Sequence, residues 1–267
     1  PDRAAVAQPV YGDRIEGDTG AVWHFEGVRN VYLQRLYAVD PHELARDEPA
    51  RWLDLSRATT CEVATELFAE LRSPRSLARG ALTLFFQDVA EPGAGWGVVD
   101  HRREPKPVWH ALRRAFQPLA VSITDEGLNG LAITAFNDGP HRRTLDLVFE
   151  CLRDGAIPVL SARRALTLEA HDAVELSSND LAGGFFDASY AYRFGPPSHD
   201  VATARLVDPA TQDILADAFF CPVGRGPERV ALGLEATAAR EGDSIVLALS
   251  ASRLAQNIRI VAPGWRA

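Results

Sequence analysis

Gly80-Ala81-Leu82-Thr83-Leu84-Phe85-Phe86 is a short continuous apolar run, and it ends in Gln87-Asp88. Seven residues without polar alternation are the pattern of a strand buried on both faces, as in a parallel sheet covered by helices. A glycine-rich loop follows, Pro92-Gly93-Ala94-Gly95-Trp96-Gly97, then Val98-Val99-Asp100 and Glu104-Pro105-Lys106-Pro107. Polar groups at the carboxyl end of a strand, with an aromatic residue in the next loop, are how a (β/α)8 barrel builds a site. Asp88 is then a candidate acceptor for sugar hydroxyls, and Trp96 a candidate platform for a pyranose face. A plainer reading stands beside it, in which Asp88 caps the loop and Trp96 plugs a core. Gly93, Gly95 and Gly97 alternate without the strand–turn–helix order that a dinucleotide site requires.

The segments flanking this run are helical. Val28, Val31, Tyr32, Leu36 and Tyr37 recur at three- and four-residue steps, which predicts a helix from Val28 to Tyr37. Asp40-Pro41 stops it, because proline disfavours helical geometry in the residue before it. A second helix is expected from about Pro49 to Arg72, with Leu53, Leu55, Ala58, Val63, Leu67, Phe68 and Leu71 as its stripe and Ser73-Pro74 as its end. Pro107 to Phe116 reads as a third, with proline in its first turn. Helix, buried strand, loop and helix make a fragment of an α/β architecture.

After Gln117-Pro118 the period changes. Leu119 to Ile123, Leu131 to Phe136, Leu145 to Leu152, Ala165 to Leu168, Val201 to Val207, Val230 to Ala236, Ile245 to Leu249 and Ile258 to Val261 are short and rich in Val, Ile, Leu and Phe. Asn137-Asp138-Gly139-Pro140, Asp154-Gly155, Gly183-Gly184 and Glu241-Gly242-Asp243 punctuate them as turns. That spacing predicts an antiparallel β-sandwich of the immunoglobulin-like kind. The expected class is therefore α/β plus all-β, with a boundary near residue 118. Residues 119–267 form the sandwich region, either throughout or as one full domain to about 222 and a partial second one.

Composition narrows the function. Of 267 residues, 46% are hydrophobic and 24% charged, which excludes disorder, collagen and coiled coil. No apolar run approaches the roughly 18 residues of a membrane span. A net charge of −8 makes nucleic acid a poor partner, since phosphate binding needs a concentrated basic face. Cys61, Cys151 and Cys221 lie too far apart for a metal motif and read as small buried hydrophobes. The seven histidines show no HxxxH step, so neither metal nor cofactor is expected. Arginine replaces lysine everywhere except Lys106, and there is no methionine, even at position 1, nor a signal peptide in its place. The chain is accordingly expected to begin inside something larger. Glu62, Glu66 and Glu70 step by four along one helix, the signature of a solvated face. Glu26 sits just before the first helix, where a carboxylate meets the helix dipole. Neither these nor Glu91 make the carboxylate pair of a glycosidase.

Three stretches carry a resemblance to a known family. Gly80-Ala81-Leu82, Gln87-Asp88, Trp96-Gly97-Val98-Val99-Asp100 and Pro105-Lys106 together resemble a segment of glycoside hydrolase family 2 β-mannosidases. There the last barrel strand and its loop read roughly "GAL-W-x-x-N-D … W-x-x-x-D-x-x-x-x-P-K". Trp23-His24-Phe25-Glu26-Gly27-Val28-Arg29-Asn30-Val31-Tyr32 resembles a "W-x-F-E-x-V-R-x-x-Y" motif of the bacterial branch, and Tyr190-Ala191-Tyr192-Arg193-Phe194-Gly195-Pro196-Pro197 resembles a sandwich stretch of the same group. Leu84 and Gln87 depart from the pattern, standing where Trp and Asn are usual.

The resemblance implies that residues 1–118 are the last quarter of a (β/α)8 barrel, with Gly80 to Phe86 as its eighth strand, followed by the sandwich. It implies a retaining exo-glycosidase acting on terminal β-mannose, with both catalytic glutamates outside this chain, which alone would be inactive. Gln87, Asp88 and Trp96 would be the substrate-binding residues. The implied partners are a β-mannoside and the missing N-terminal part of the same protein, with no nucleic acid and no membrane. The competing expectation is a non-catalytic carbohydrate-binding or scaffold sandwich, with Phe185, Phe186, Tyr190 and Tyr192 as its candidate aromatics.

Overall fold

The fold was taken from a computed structural model that describes residues 15–16, 22–23, 25–78, 81–83, 85–89, 97–226 and 229–260. Two short strands, β1 (Ile15–Glu16) and β2 (Val22–Trp23), pair antiparallel and lead into helix α1 (Phe25–Tyr37). Asp40 does more than end α1. Its carboxylate accepts hydrogen bonds from the amides of His42 and Glu43 at 2.8 and 2.9 Å, so it caps a further helix, α2 (Pro41–Asp47), with Pro41 at the first helical position. Helix α3 runs over Pro49–Arg72, as the apolar stripe requires, and α4 over Pro107–Ala115. Leu33, Tyr37, Leu44 and Trp52 form one buried cluster between α1, α2 and α3. Phe68 of α3 and Leu112 of α4 bury Val98 and Val99 in another.

The run after residue 80 departs from expectation. Gly80 and Leu84 lie outside the described residues. The remainder forms no ladder, only an isolated parallel bridge between Gln87 and Val99. Leu82 is 98% exposed, and Phe85, Phe86 and Val89 also face solvent. A strand is buried on both faces only when strands flank it and helices cover it. Here Val98 and Val99 run beside Phe85 and Phe86, and Ala81 packs on the Phe68 cluster, but Leu82, Phe85 and Phe86 stay exposed.

From Leu119 the chain is a sandwich. One sheet has the order β3-β4-β7, and the other the order β6-β5-β8-β9. Their strands are β3 (Leu119–Asp125), β4 (Leu131–Asn137), β5 (Arg143–Arg153), β6 (Ile157–Leu168), β7 (Asp172–Ser177), β8 (Val201–Val207) and β9 (Ile214–Phe220). All pairings are antiparallel, and this is the immunoglobulin-like arrangement. Alternation drives it: Leu145, Leu147, Phe149 and Cys151 of β5 point inward against Ala202, Ala204 and Leu206 of β8 and Leu131, Ile133 and Ala135 of β4. Asp154 and Gly155 both have positive φ, as the tight turn between β5 and β6 requires. A short helix, α5 (Ser178–Ala182), follows β7.

A final hairpin, β10 (Glu235–Glu241) and β11 (Ser244–Ser250), pairs only with itself and is exposed along both strands. The strand expected at Val230 to Ala236 thus begins at Glu235. No strand forms at 258–260, and Val261 lies outside the described residues.

Two arginines fasten the helices to the sandwich. Arg72 lies 4.5 Å over the Phe136 ring, pairs with Asp138 and donates to the Ala115 and Gln117 carbonyls. Arg75 makes a two-pronged pair with Glu126 and reaches Glu175.

Candidate functional site

Three chain segments meet at Asp88. Phe86 O accepts from the Val99 amide and Val99 O accepts from the Asp88 amide, both at 3.0 Å, while the Lys106 amide donates to Val98 O at 3.0 Å. Val99 is therefore the central rung, bridged to Gln87 on one side and to Pro105 on the other. Asp100 folds the intervening turn by accepting from the amides of Arg102 and Glu104, both at 2.8 Å. Lys106 stands at the start of α4, where its carbonyl accepts from Trp109 N.

The Asp88 carboxylate faces inward. One oxygen accepts from the Gly97 amide at 2.8 Å, and the other pairs with Lys106 Nζ at 2.6 Å. The Asp88 side chain is 6% exposed and that of Lys106 24%, so the pair is a fixed dipole with its cation on the solvent side. Gly97 is obligatory here. A Cβ at that position would lie 2.5 Å from Asp88 N and 2.7 Å from the Gln87 carbonyl carbon. Chemically, the corner holds a partly exposed ammonium in a set place, a donor suited to oxygen-rich ligands.

Asp88 is thus paired with Lys106, the lone lysine of an arginine-rich chain, while Gln87 enters through its backbone bridge to Val99. Trp96 lies outside the described residues. The loop-capping role weighed for Asp88 is present in the Gly97 bond. Among the described residues, no group of three His, Cys, Asp or Glu side chains is placed to hold a metal ion.

Glu62 corrects the solvated-face reading. Its carboxylate is gripped by both terminal and inner nitrogens of Arg225, at 2.6–3.2 Å, and by Asn257 at 3.0 Å. Arg225 also donates to Cys221 Sγ and, through its backbone, to Leu36 O. Burial, helped by the Glu62 charge, pushes the neighbouring Tyr37 hydroxyl well above its ordinary pKa. These partners are more than 150 residues apart in sequence, so no local pattern announces the clamp. It fastens the segment after β9 to α1 and α3. Cys61 and Cys151 are buried as expected, with burial pushing their thiols up to about 11 and about 12, whereas Cys221 is half-buried.

No protein-family model and no curated protein matches the sequence. Solved structures do. The β-D-mannosidase from Dictyoglomus thermophilum superposes with a TM-score of 0.67 at 16% identity, over 86% of this chain and 26% of that one. The exo-chitosanase of Amycolatopsis orientalis superposes with a TM-score of 0.60 at 10% identity in one complex, over 94% of this chain and 32% of that one. At such identities the likeness is one of fold. The chain spans about a quarter to a third of the length of the structures it matches.

Proposed function

We propose that this chain is the C-terminal part of a retaining exo-β-glycosidase of the family 2 kind, acting on terminal β-D-mannose. The observation that carries the reading is the likeness of fold to two exo-acting glycosidases, which covers 86% and 94% of the chain and so takes in helices as well as sandwich. In this reading residues 1–118 are the closing quarter of a (β/α)8 barrel, and Gly80 to Phe86 its last strand. The exposure of Leu82 and Phe86 supports it, because in a barrel both faces of such a strand are covered.

Hydrolysis with retention needs two carboxyl groups about 5 Å apart, one as acid/base and one as nucleophile. In this proposal both are glutamates of preceding barrel strands. The chain itself contributes orientation. Asp88 is a positioning residue: it fixes Lys106 and the start of the Gly97 loop, while Gln87 and Trp96 meet the sugar. Fixed donors beside a reacting sugar lower the barrier only if they are held in place beforehand, which is what the Asp88 bonds do.

The test uses the chain joined to the residues that precede it. Asp88→Asn keeps the shape and the Gly97 bond but removes the charge that holds Lys106. A fall in kcat/KM of tenfold or more on an aryl β-mannoside is expected, roughly 1.4 kcal/mol or more of transition-state stabilisation. Full activity in that variant would refute the role given to the corner. Faster turnover of an aryl β-glucosaminide than of the mannoside would move the substrate class toward the exo-chitosanase.

A further inference from the structure

The segment between α5 and β8 crosses one end of the sandwich and presents three large rings to water. Phe185 is 66% exposed, Tyr192 37% and Phe194 82%. Tyr192 and Phe194 lie 5.9 Å apart with planes only 31° from each other, and Phe185 stands edge-on to Tyr192 at 5.1 Å and 87°. Slack backbone does not explain their exposure. The Asp187 carboxylate accepts from the amides of Ala191 and Tyr192, and the Tyr192 hydroxyl donates to Leu128 O at 3.0 Å. The Tyr190 hydroxyl donates to Gly195 O at 2.8 Å, and Ser189 Oγ to Gly127 O at 3.0 Å. Tyr190 and Arg193 are held at φ 57° and 54°, the left-handed region that side chains disfavour. Strain kept in place by neighbouring bonds, beside apolar surface left uncovered, marks a working surface.

The size of that surface chooses among occupants. At 150–250 Å² per aromatic side chain, the three rings expose roughly 280–460 Å². That is about a third to a little over half of the ~800 Å² that each partner gives to a stable protein interface. The occupant is therefore small, or a short stretch of polymer. Nucleobases stack on rings too, but a chain with net charge −8 opposes a polyphosphate. A pyranose offers a face of polarised C–H bonds to the negative face of an aromatic ring. Arg193, exposed between Tyr192 and Phe194 in the chain, adds donors for its hydroxyls.

We propose that Phe185, Tyr192 and Phe194 form an accessory binding surface for a neutral β-linked pyranose chain, separate from the Asp88 corner. The choice of sugar rests on the glycosidase reading; the surface rests on the ring geometry. The test is calorimetric titration of the 267-residue chain with a β-linked mannohexaose. Saturable binding is expected, weakened tenfold or more in Phe194→Ala, whose side chain is too exposed to matter for folding. A flat titration overturns the proposal, as does binding that Phe194→Ala leaves intact. Loss of binding in Gln87→Ala alone would place the sugar at the Asp88 corner and overturn it as well. So would self-association that Phe194→Ala abolishes, because the rings would then join copies of the chain. Hydrolysis by the extended chain is read separately, so none of these outcomes bears on the glycosidase reading.

Discussion

Gly97 has no room for a side chain, and the atoms in the way are backbone. A Cβ 2.5 Å from Asp88 N cannot be relieved by a rotamer change, so Gly97→Ala must open the corner and separate the carboxylate from its amide donor. The expected cost is about 1–3 kcal/mol, visible as a lower thermal midpoint. His199 offers a second residue-level test. It is buried, its Nε2 lies 3.0 Å from Ala188 O, and its Nδ1 lies 3.0 Å from Ser198 Oγ. A carbonyl can only accept, so Nε2 carries the hydrogen, and in the neutral ring Nδ1 accepts from the serine. Burial lowers its pKa below the ordinary 6.5, with the Ala188 bond opposing in part. Between the depressed native value and 6.5 the unfolded chain binds more protons, so stability rises with pH there. It is fully present above 6.5 and is lost as pH falls toward the native value. Calorimetric melting between pH 7.5 and 5 should show this decline, and His199→Gln, which cannot titrate, should flatten that part of it. An identical slope in both proteins would assign the decline elsewhere.

Elements were legible in the sequence to the extent that their cause is local. The alternation of Leu145, Leu147, Phe149 and Cys151 marks β5 because that face meets one continuous core, and the stripe from Leu53 to Leu71 marks α3, which packs into two separate clusters and leaves Leu67 exposed. Helix α2 was hidden because Asp40-Pro41 carries two meanings, a stop for the preceding turn and a cap for the next. Strand β6 extends well before Ala165 because it is an edge strand whose Ser161, Arg163 and Arg164 are all exposed, which leaves little apolar period to see. The Glu62–Arg225 clamp was not legible at all, since its two halves meet only in the folded chain. The same distinction predicts dynamics. β5 and β8 have neighbours on both edges, whereas β10 and β11 have only each other and no covered face. A lone hairpin is marginal in water. Hydrogen exchange should therefore find β10–β11 amides opening at a small fraction of the free energy that protects β5 and β8. Equal protection would mean that the hairpin is covered in solution.

At the scale of the molecule, the two halves differ in completeness. The sandwich closes a core from both of its sheets, with Phe149, Leu147, Ile133 and Leu206 fully buried. The helical half buries two smaller clusters and leaves Leu77, Leu82, Phe85, Phe86 and Val89 facing solvent. The sequence motifs around Gln87-Asp88 and Pro105-Lys106 pointed to a glycosidase wall. The pairing of Asp88 with Lys106 gives this corner a fixed charge, and the fold resembles that of a β-D-mannosidase and an exo-chitosanase over most of the chain. What the sequence could not convey was the exposure of the run, because an apolar stretch reads as buried whether or not its neighbours are present.

The most direct measurement is release of aryl alcohol from an aryl β-mannoside, made on the 267-residue chain alone and on the chain joined to the coding region upstream of Pro1. No turnover is expected in the first case, and in the second turnover that disappears when either of two upstream glutamates is replaced by glutamine. Hydrolysis by the isolated chain, or a joined protein inert on every aryl β-glycoside offered, would contradict the proposed function.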